Sequence, residues 1–360
     1  MKLTKFFALA LAALAIVGCE PTTGNDDQKP TGDAVLTANN NSVEVNTPIS
    51  FTVTASDGAD LTAEAIIYDK SHDYAIVENP YTPTMDGEYE FYAVIGNIIT
   101  PSIKVNVVPT VPALPEDAQP ENTSFNHRIL LVDHTGNTCG YCPQMMAALK
   151  EVSETGDYHS KYYEAMAHTY SSGDPAYSGA ANVVSGHHGV SAYPTLTYNF
   201  YHSTTSSYNA AHIMGQIDAL WKAEGADAGI AAAATLASTS VIVNTEVKAA
   251  VANDYRITAW LLEDGIYAKQ TNATAEWMNT HDNAIRQRVT SDDITGVDLG
   301  TIAAGETAST ALTLKIIGNK WVRENLKVMV IVSAKNEKGK FEVANVAICP
   351  MNDVVTYDYK

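Results

Sequence analysis

Residues 133–143 read "DHTGNTCGYCP" and set Cys139 and Cys142 two residues apart in a chain with four cysteines. Upstream, "RILLVDH" (128–134) is an apolar run of strand length; downstream, "CPQMMAALKEVSE" (142–154) carries apolar residues at helical spacing. The pair therefore sits where a buried strand turns into a helix. A metal clip needs more ligands than one C-x-x-C supplies, and no second pair follows at a matching spacing, so no metal is expected. A disulfide that only staples the helix start closes a loop too short to remove much chain entropy. A redox pair has a mechanism. With Cys139 at the helix N-terminus, unpaired N–H groups and the helix dipole lower its pKa below the free value of ~8.5. Cys142, one turn in, can then resolve a mixed disulfide. Pro143 is tolerated in a first turn, and Thr138 is the expected N-cap. Redox pair and inert disulfide both stay open on the residues alone.

Inside an alternating strand–helix pattern, C-x-x-C reads as a thioredoxin-like motif. "GVSAYPTLTYNF" (189–200) resembles the thioredoxin segment that carries a cis-proline. The resemblance implies that Pro194 lies beside the pair and that the Tyr193 backbone is an edge for an extended substrate. Asp133, six residues before Cys139, falls where thioredoxins keep a buried acid. Burial would raise its pKa and suit it to accept the proton of Cys142. Thr138 replaces the usual tryptophan, and "TYSSGDPAYSGAANVVSGHH" (169–188) adds length before Pro194, expected as a helical turn or lid. The Gly140-Tyr141 dipeptide is similar to that of periplasmic disulfide isomerases. Tyr141 and Tyr193 are the expected substrate-binding residues, and no cofactor is implied.

Working outward, 360 residues suggest two or three domains, and 46% hydrophobic content suffices for several cores. Residues 126–225 alternate strand and helix and form the expected central α/β domain. They close on "NAAHIMGQIDALWKAEG" (209–225), an amphipathic helix expected to end at Gly225. Residues 34–109 show apolar–polar alternation in "SVEVNTPISFTVTAS" and "IITPSIKVNVV". Between them "DGEYEFYAV" resembles the tyrosine corner of immunoglobulin-like sandwiches, with Tyr89 in the corner. Residues 110–125, proline-rich, read as a stiff linker. Residues 226–360 return to strands at sandwich spacing. The expected fold class is multidomain: an N-terminal immunoglobulin-like β-sandwich, a central α/β thioredoxin-like domain and a C-terminal β-sandwich.

Residues 1–18 have Lys2 and Lys5, an apolar run from Phe6 to Val17, and Gly18 before Cys19. This is a secretory signal, and its apolar run is short for a membrane span. "IVGC" resembles the bacterial lipobox, which implies lipidation of Cys19 and anchorage by acyl chains. Residues 19–33, polar and rich in Pro, Gly and Asp, read as a flexible tether. Removing Lys2 and Lys5 leaves 20 basic against 41 acidic residues, which excludes a basic nucleic-acid surface.

Other residues attract notice without completing a site. His168 and His187-His188 lack cysteine or carboxylate partners at ligand spacing and are expected as solvated or capping groups. Asp174-Pro175 reads as a turn, and Cys349 as a buried thiol. "HDNAIRQRV" (281–289) reads as a polar stretch between strands, with no chemistry assigned to Arg286.

Taken together, the lipobox, the "TGNTCGYCP" domain and the β-rich tail resemble the twenty-eight-kilodalton outer-membrane-protein family of Bacteroides-type anaerobes. The resemblance covers about Phe125 to Pro350, with Asn283 and Arg286 matching a family His-Asn-x-x-Arg element. It implies an outer-membrane lipoprotein on the periplasmic or cell-surface face, with adhesin or receptor roles toward host matrix protein and homodimers among its members. Two functions follow. One is thiol–disulfide exchange on extracytoplasmic proteins, with Cys139 as nucleophile, Cys142 as resolver, Asp133 as proton acceptor and Pro194 as edge former. The other is a surface binding protein in which the disulfide is structural.

Overall fold

A computed structural model describes residues 33–202, 204–290, 293–318 and 320–360. The expected signal, Cys19 and nearly all of the tether lie outside the described residues. Contacts divide the chain into two compact units. One is made of segments ending at Asn39 and spanning Ser50–Pro80 and Glu90–Lys104; the other holds Asn40–Ile49, Tyr81–Tyr89 and Val105–Lys360.

The first unit is β-structure, as its alternation predicts. Strands Ala34–Ala38 and Phe51–Ala55 pair antiparallel, and Ile66–Asp69 pairs with Ala75–Val77 on one side and Phe91–Val94 on the other. Alternate residues point inward, so Leu36, Val53 and Phe91 are buried, and the Phe51 and Phe91 rings lie 4.8 Å apart. In the second unit the Tyr89 hydroxyl donates to the Met85 carbonyl at 2.9 Å, the local bond that the "DGEYEFYAV" reading calls for.

Among the described residues the second unit is organised by one mixed sheet of nine strands, eight along one path and Val297–Ile302 paired beside Asn253–Glu263. Its path runs from Thr204–Thr205 through Thr195–Tyr198, Ile129–Thr135, Tyr162–His168, Ala284–Arg288, Asn253–Glu263 and Leu326–Lys335 to Phe341–Pro350. Ile129–Thr135 is buried at every residue because it is paired on both edges and covered on both faces. Odd positions Ile129 and Leu131 face helices α1 (Cys142–Glu154) and α3 (Ala210–Leu220), with Met145, Leu149 and Ile213. Even positions Leu130 and Val132 face helix α2 (Gly179–His187), with Ala181 and Val184. At the other end of the sheet, a four-stranded sheet of Thr307–Lys315, Ser240–Ala249, Ala228–Leu236 and Val354–Val355 packs face to face. Residues such as Ile230, Val243, Tyr255 and Val330 fill the space between the two.

Five expectations change. The break expected at residue 225 does not interrupt the sheet: Tyr162–His168 runs parallel to Ala284–Arg288, with Met166 opposite Ala284. A strand left open there would expose its N–H and C=O groups, and the later segment covers them. The supposed polar stretch around Arg286 is therefore a strand. Helix α3 stops at Leu220, not Gly225. Trp221 and Lys222 leave it because their Nε1–H and N–H donate to the His127 carbonyl and Nδ1, at 2.9 Å each. The proline-rich segment, expected as a stiff linker, is pinned along a strand. Asn244 Nδ2 donates to Pro112 O at 2.9 Å, and buried Lys248 reaches Asp117 at 3.0 Å and the carbonyls of Gln119 and Pro120. Finally, Thr138 caps nothing, as described below.

Lys248 is 2% exposed while Asp117 keeps 20%, so the pair is buried on one side. Lys248→Ala takes the cation from Asp117, which keeps the Tyr359 hydroxyl and the Gln119 N–H, and takes the ammonium donor from the Gln119 and Pro120 carbonyls. It should lower unfolding free energy by about 2 kcal/mol, within the range for hydrogen bonds to a charged group. Urea unfolding of the full chain measures this, and a loss below about 1 kcal/mol would mean that the segment is held by other contacts.

Candidate active site around the Cys139–Cys142 disulfide

The two cysteines are joined in a disulfide with Cα atoms 5.5 Å apart. Helix α1 begins at Cys142, with Tyr141 as N-cap and no side-chain cap. Thr138 is exposed and lies outside the cap because Cys139 sits in its own turn, its N–H donating to Gly136 O at 3.0 Å. Cys142 thus opens the helix instead of lying one turn inside it, and Pro143 occupies the first turn, where no N–H is needed.

Asp133 lies on the fully buried strand that leads into this turn. It is 0% exposed, and neither carboxylate oxygen has a hydrogen-bond partner. Burial, and then the charge of Glu164, push its pKa well above the ordinary carboxylate range, so it is held protonated. On the neighbouring strand Thr195 is opposite His134 and Leu196 opposite Asp133, and Pro194 immediately precedes that strand. The Tyr193–Pro194 peptide is cis. Asp133 thus lies on the strand that leads into the cysteine turn and is paired to the strand that Pro194 precedes. The two expected substrate-binding tyrosines differ. Tyr141 is 64% exposed, whereas the Tyr193 hydroxyl is engaged by Thr169 Oγ1 at 3.0 Å and its ring meets Tyr170 edge-on.

One feature was not foreseen. Residues 268–279 leave the C-terminal strands and lie over the cysteine turn. Gln270 Nε2 donates to the Cys139 carbonyl at 2.9 Å, Thr271 N–H to Asn137 O at 2.7 Å, and Asn272 Nδ2 to Gly140 O at 3.1 Å. Under this clasp Cys139 is 2% exposed and Cys142 0%. A Cβ at Gly140 would stand 3.0 Å from Asn272 Nδ2, so only glycine fits there without a shift.

The base of the clasp rests on a buried polar network, which corrects the expectation of a solvated or capping group for His168, while His188 does form the C-cap of α2. His168 is fully buried and bonded through Nδ1 to Asp174 at 2.8 Å. Asp174 also accepts from the N–H groups of Asn137 and Ala176, so it braces the cysteine turn as well. Burial works to raise the Asp174 pKa, but these bonds and His168 bring it below the usual value. The His281 ring meets His168 edge-on at 4.8 Å, and its Nε2–H donates to Ala268 O. Arg286 is buried against Glu263 at 2.5 Å and donates to Pro175 O, so it is a structural ion pair. Among the described residues no group of three His, Cys, Asp or Glu side chains is placed to hold a metal. Cys349 is a buried free thiol, pushed up to about 11 by burial.

Comparisons with known proteins bear on the later part of the site. A family model described as outer membrane protein Omp28 matches residues 182–352. The match holds Pro194, Gln270, His281 and Arg286 and begins after the two cysteines. Among solved structures, HBP35 of Porphyromonas gingivalis is similar in fold: TM-score 0.52 at 15% identity, over 64% of this chain and 77% of that one. Surface layer protein SbsC, domains 4–9, aligns over 90% of this chain and 48% of its own at 11% identity, with a TM-score of 0.17 that supports nothing. No curated protein matches.

Two expectations are measurable here. Each clasp bond is worth about 0.5–1.5 kcal/mol. Removing two with Gln270→Ala and Asn272→Ala should speed reduction of the disulfide by dithiothreitol about tenfold, with an unchanged rate meaning that the clasp does not limit access. The second concerns pH. Burial lowers the pKa of His134 to about 3, of His127 and His188 to about 4, and that of His281 to a lesser extent. Neutral in the fold, each takes a proton on unfolding. Their contribution is full above about pH 6.5 and lost as pH falls through the folded values. Asp133 and Glu164, whose pKa values are raised, act oppositely, but four imidazoles outnumber two carboxyls. The urea midpoint should fall between pH 6.5 and 4.5; a rise would reverse this assignment.

Proposed function

We propose that this chain, whose residues 182–352 belong to the Omp28 outer membrane protein family, exchanges thiols and disulfides on extracytoplasmic proteins. The protein is one of the outer membrane. In this reading residues 126–225 are a thioredoxin-like domain, and lipidated Cys19 tethers the chain to the periplasmic or cell-surface face. The observation that carries the proposal is Asp133: a fully buried acid without a partner, on the strand feeding the disulfide. An isolated buried carboxyl is costly to keep, and a disulfide that only staples a helix has no use for one.

The chemistry runs from the oxidised state. A substrate thiolate attacks Cys139 Sγ, and the Cys139–Cys142 bond breaks. Cys142 leaves as a thiolate and takes the proton that Asp133 holds. A second substrate thiolate attacks the substrate sulfur of the mixed disulfide, and Cys139 leaves as a thiolate. The enzyme disulfide and a protein dithiol become an enzyme dithiol and a protein disulfide. In reverse, Asp133 accepts the Cys142 proton and Cys139 is the nucleophile. Tyr141, exposed beside the pair, is the surface that meets the substrate, and the Tyr193–Pro194 backbone is its pairing edge.

The burial of Cys139 under the clasp favours a second reading. A reactive cysteine is partly exposed in an electropositive setting, whereas a structural one is buried. The protein would then be a surface adhesin or receptor for host or matrix protein, its disulfide a brace. The reduction potential separates the two readings. Thiol–disulfide exchange predicts a value between about −120 and −270 mV, with Cys139→Ser abolishing exchange. A value below about −300 mV, with Cys139→Ser leaving partner binding intact, would support the brace.

A further inference from the structure

We propose that Glu164 is the proton outlet of Asp133, passing protons between the buried carboxyl beneath the disulfide and solvent. The inference rests on the oxidoreductase reading, in which Asp133 must gain and lose a proton in each cycle. Its own surroundings offer no exit. Its register neighbours are Leu196 and Met166, both buried, and Met145 lies on the same face under α1.

Glu164 is the polar group that breaks this apolar wall. Leu131 is opposite Glu164 and Asp133 is opposite Met166 on parallel strands, so all four share one face of the sheet. Asp133 and Glu164 are thus diagonal cross-strand neighbours, with Cα atoms on the order of 7 Å apart. The negative charge of Glu164 is felt at Asp133. Unlike Asp133, Glu164 is half-buried and lines an open pocket of about 480 Å³ with Met146, Leu149, Lys150, Met166 and Asp282.

Its titration suits the role. Burial, and then the charge of Asp282, push Glu164 up to about 7, while Lys327 works in the opposite direction. The charged and titratable groups around it are Asp133 on the preceding strand, Lys150 on α1, Asp282 at the clasp base, Lys327 on the Leu326–Lys335 strand and Tyr162 on its own strand. A carboxyl near neutrality can both give and take a proton. When Cys142 leaves, Asp133 gives it a proton. In the same step Glu164 gives its proton to Asp133, so that no bare carboxylate is left buried and the rate follows the protonation of Glu164, which is refilled from water in the pocket. In the reverse reaction the protons travel outward.

The test is single-turnover reduction of the full chain by dithiothreitol from pH 5 to 9, with rates divided by the thiolate fraction of the reagent. In the wild type the corrected rate should fall as pH rises through about 7, where Glu164 loses its proton. Glu164→Gln should remove that limb and slow the reaction about tenfold below pH 7, a modest share of what a positioned acid supplies. Glu164→Ala should regain rate when imidazole is added to the buffer, whereas Asp133→Asn should be slow and unrescued. A merely structural glutamate would not produce buffer rescue. If Asp133→Asn is slow but Glu164→Gln keeps the wild-type limb, the outlet is wrong while the oxidoreductase reading stands. If Asp133→Asn matches the wild type, that reading falls and the outlet with it.

Discussion

The contact on which the second unit depends is the parallel seam between Tyr162–His168 and Ala284–Arg288. Met166 N–H donates to Asn283 O at 2.8 Å there, and the α/β strands and the sandwich strands become one sheet. An α/β segment ending on Tyr162–His168 would carry an unpaired edge at the heart of the molecule. Closing it with a strand from more than a hundred residues later costs loop entropy, but that cost grows only slowly with length. The seam also decides what comes next to the disulfide. The residues that lead into Ala284–Arg288 are those of the clasp.

That arrangement explains how the site can be both polar and shielded. Asn137, Cys139 and Gly140 have backbone carbonyls that a tight turn leaves over, and Thr271, Gln270 and Asn272 supply the missing donors. Behind them Asp174 ties His168 to the same turn, and His281 rests on His168. The pair Arg286–Glu263 anchors the strand that follows. The cysteine turn is thereby held from outside its own helix–strand unit, whereas a lone strand–turn–helix would leave it open to solvent. Asp133 is the exception to this careful pairing. Among the described residues it is the one carboxyl with both oxygens buried and unpartnered.

Much of the local structure was legible. The apolar run 128–134, the helical spacing of 142–154 and the alternation of 34–109 each reflect a periodicity that burial imposes on side chains, and each element formed where that periodicity lies. The cis-proline was legible from its sequence neighbourhood and Asp133 from its spacing to Cys139. Boundaries were less so. Helix α3 ends where His127 competes for the N–H of Lys222, a partner ninety-five residues away that no local pattern announces.

By itself, then, the sequence determined the elements, the cysteine pair with its acid and proline, and the acidic character of the chain. These are set by residues near one another in the chain, through side-chain periodicity, turn chemistry and charge. Only the tertiary structure decided that the sheet runs on past residue 225, that His168 and Arg286 are buried, that Glu164 lies on the face of Asp133, and that Gln270 and Asn272 cover Cys139. Each of these is a pairing between distant segments, fixed by which strand edge needed a partner and which carbonyl needed a donor. Such needs exist only once the chain has folded, and no spacing along the sequence records them.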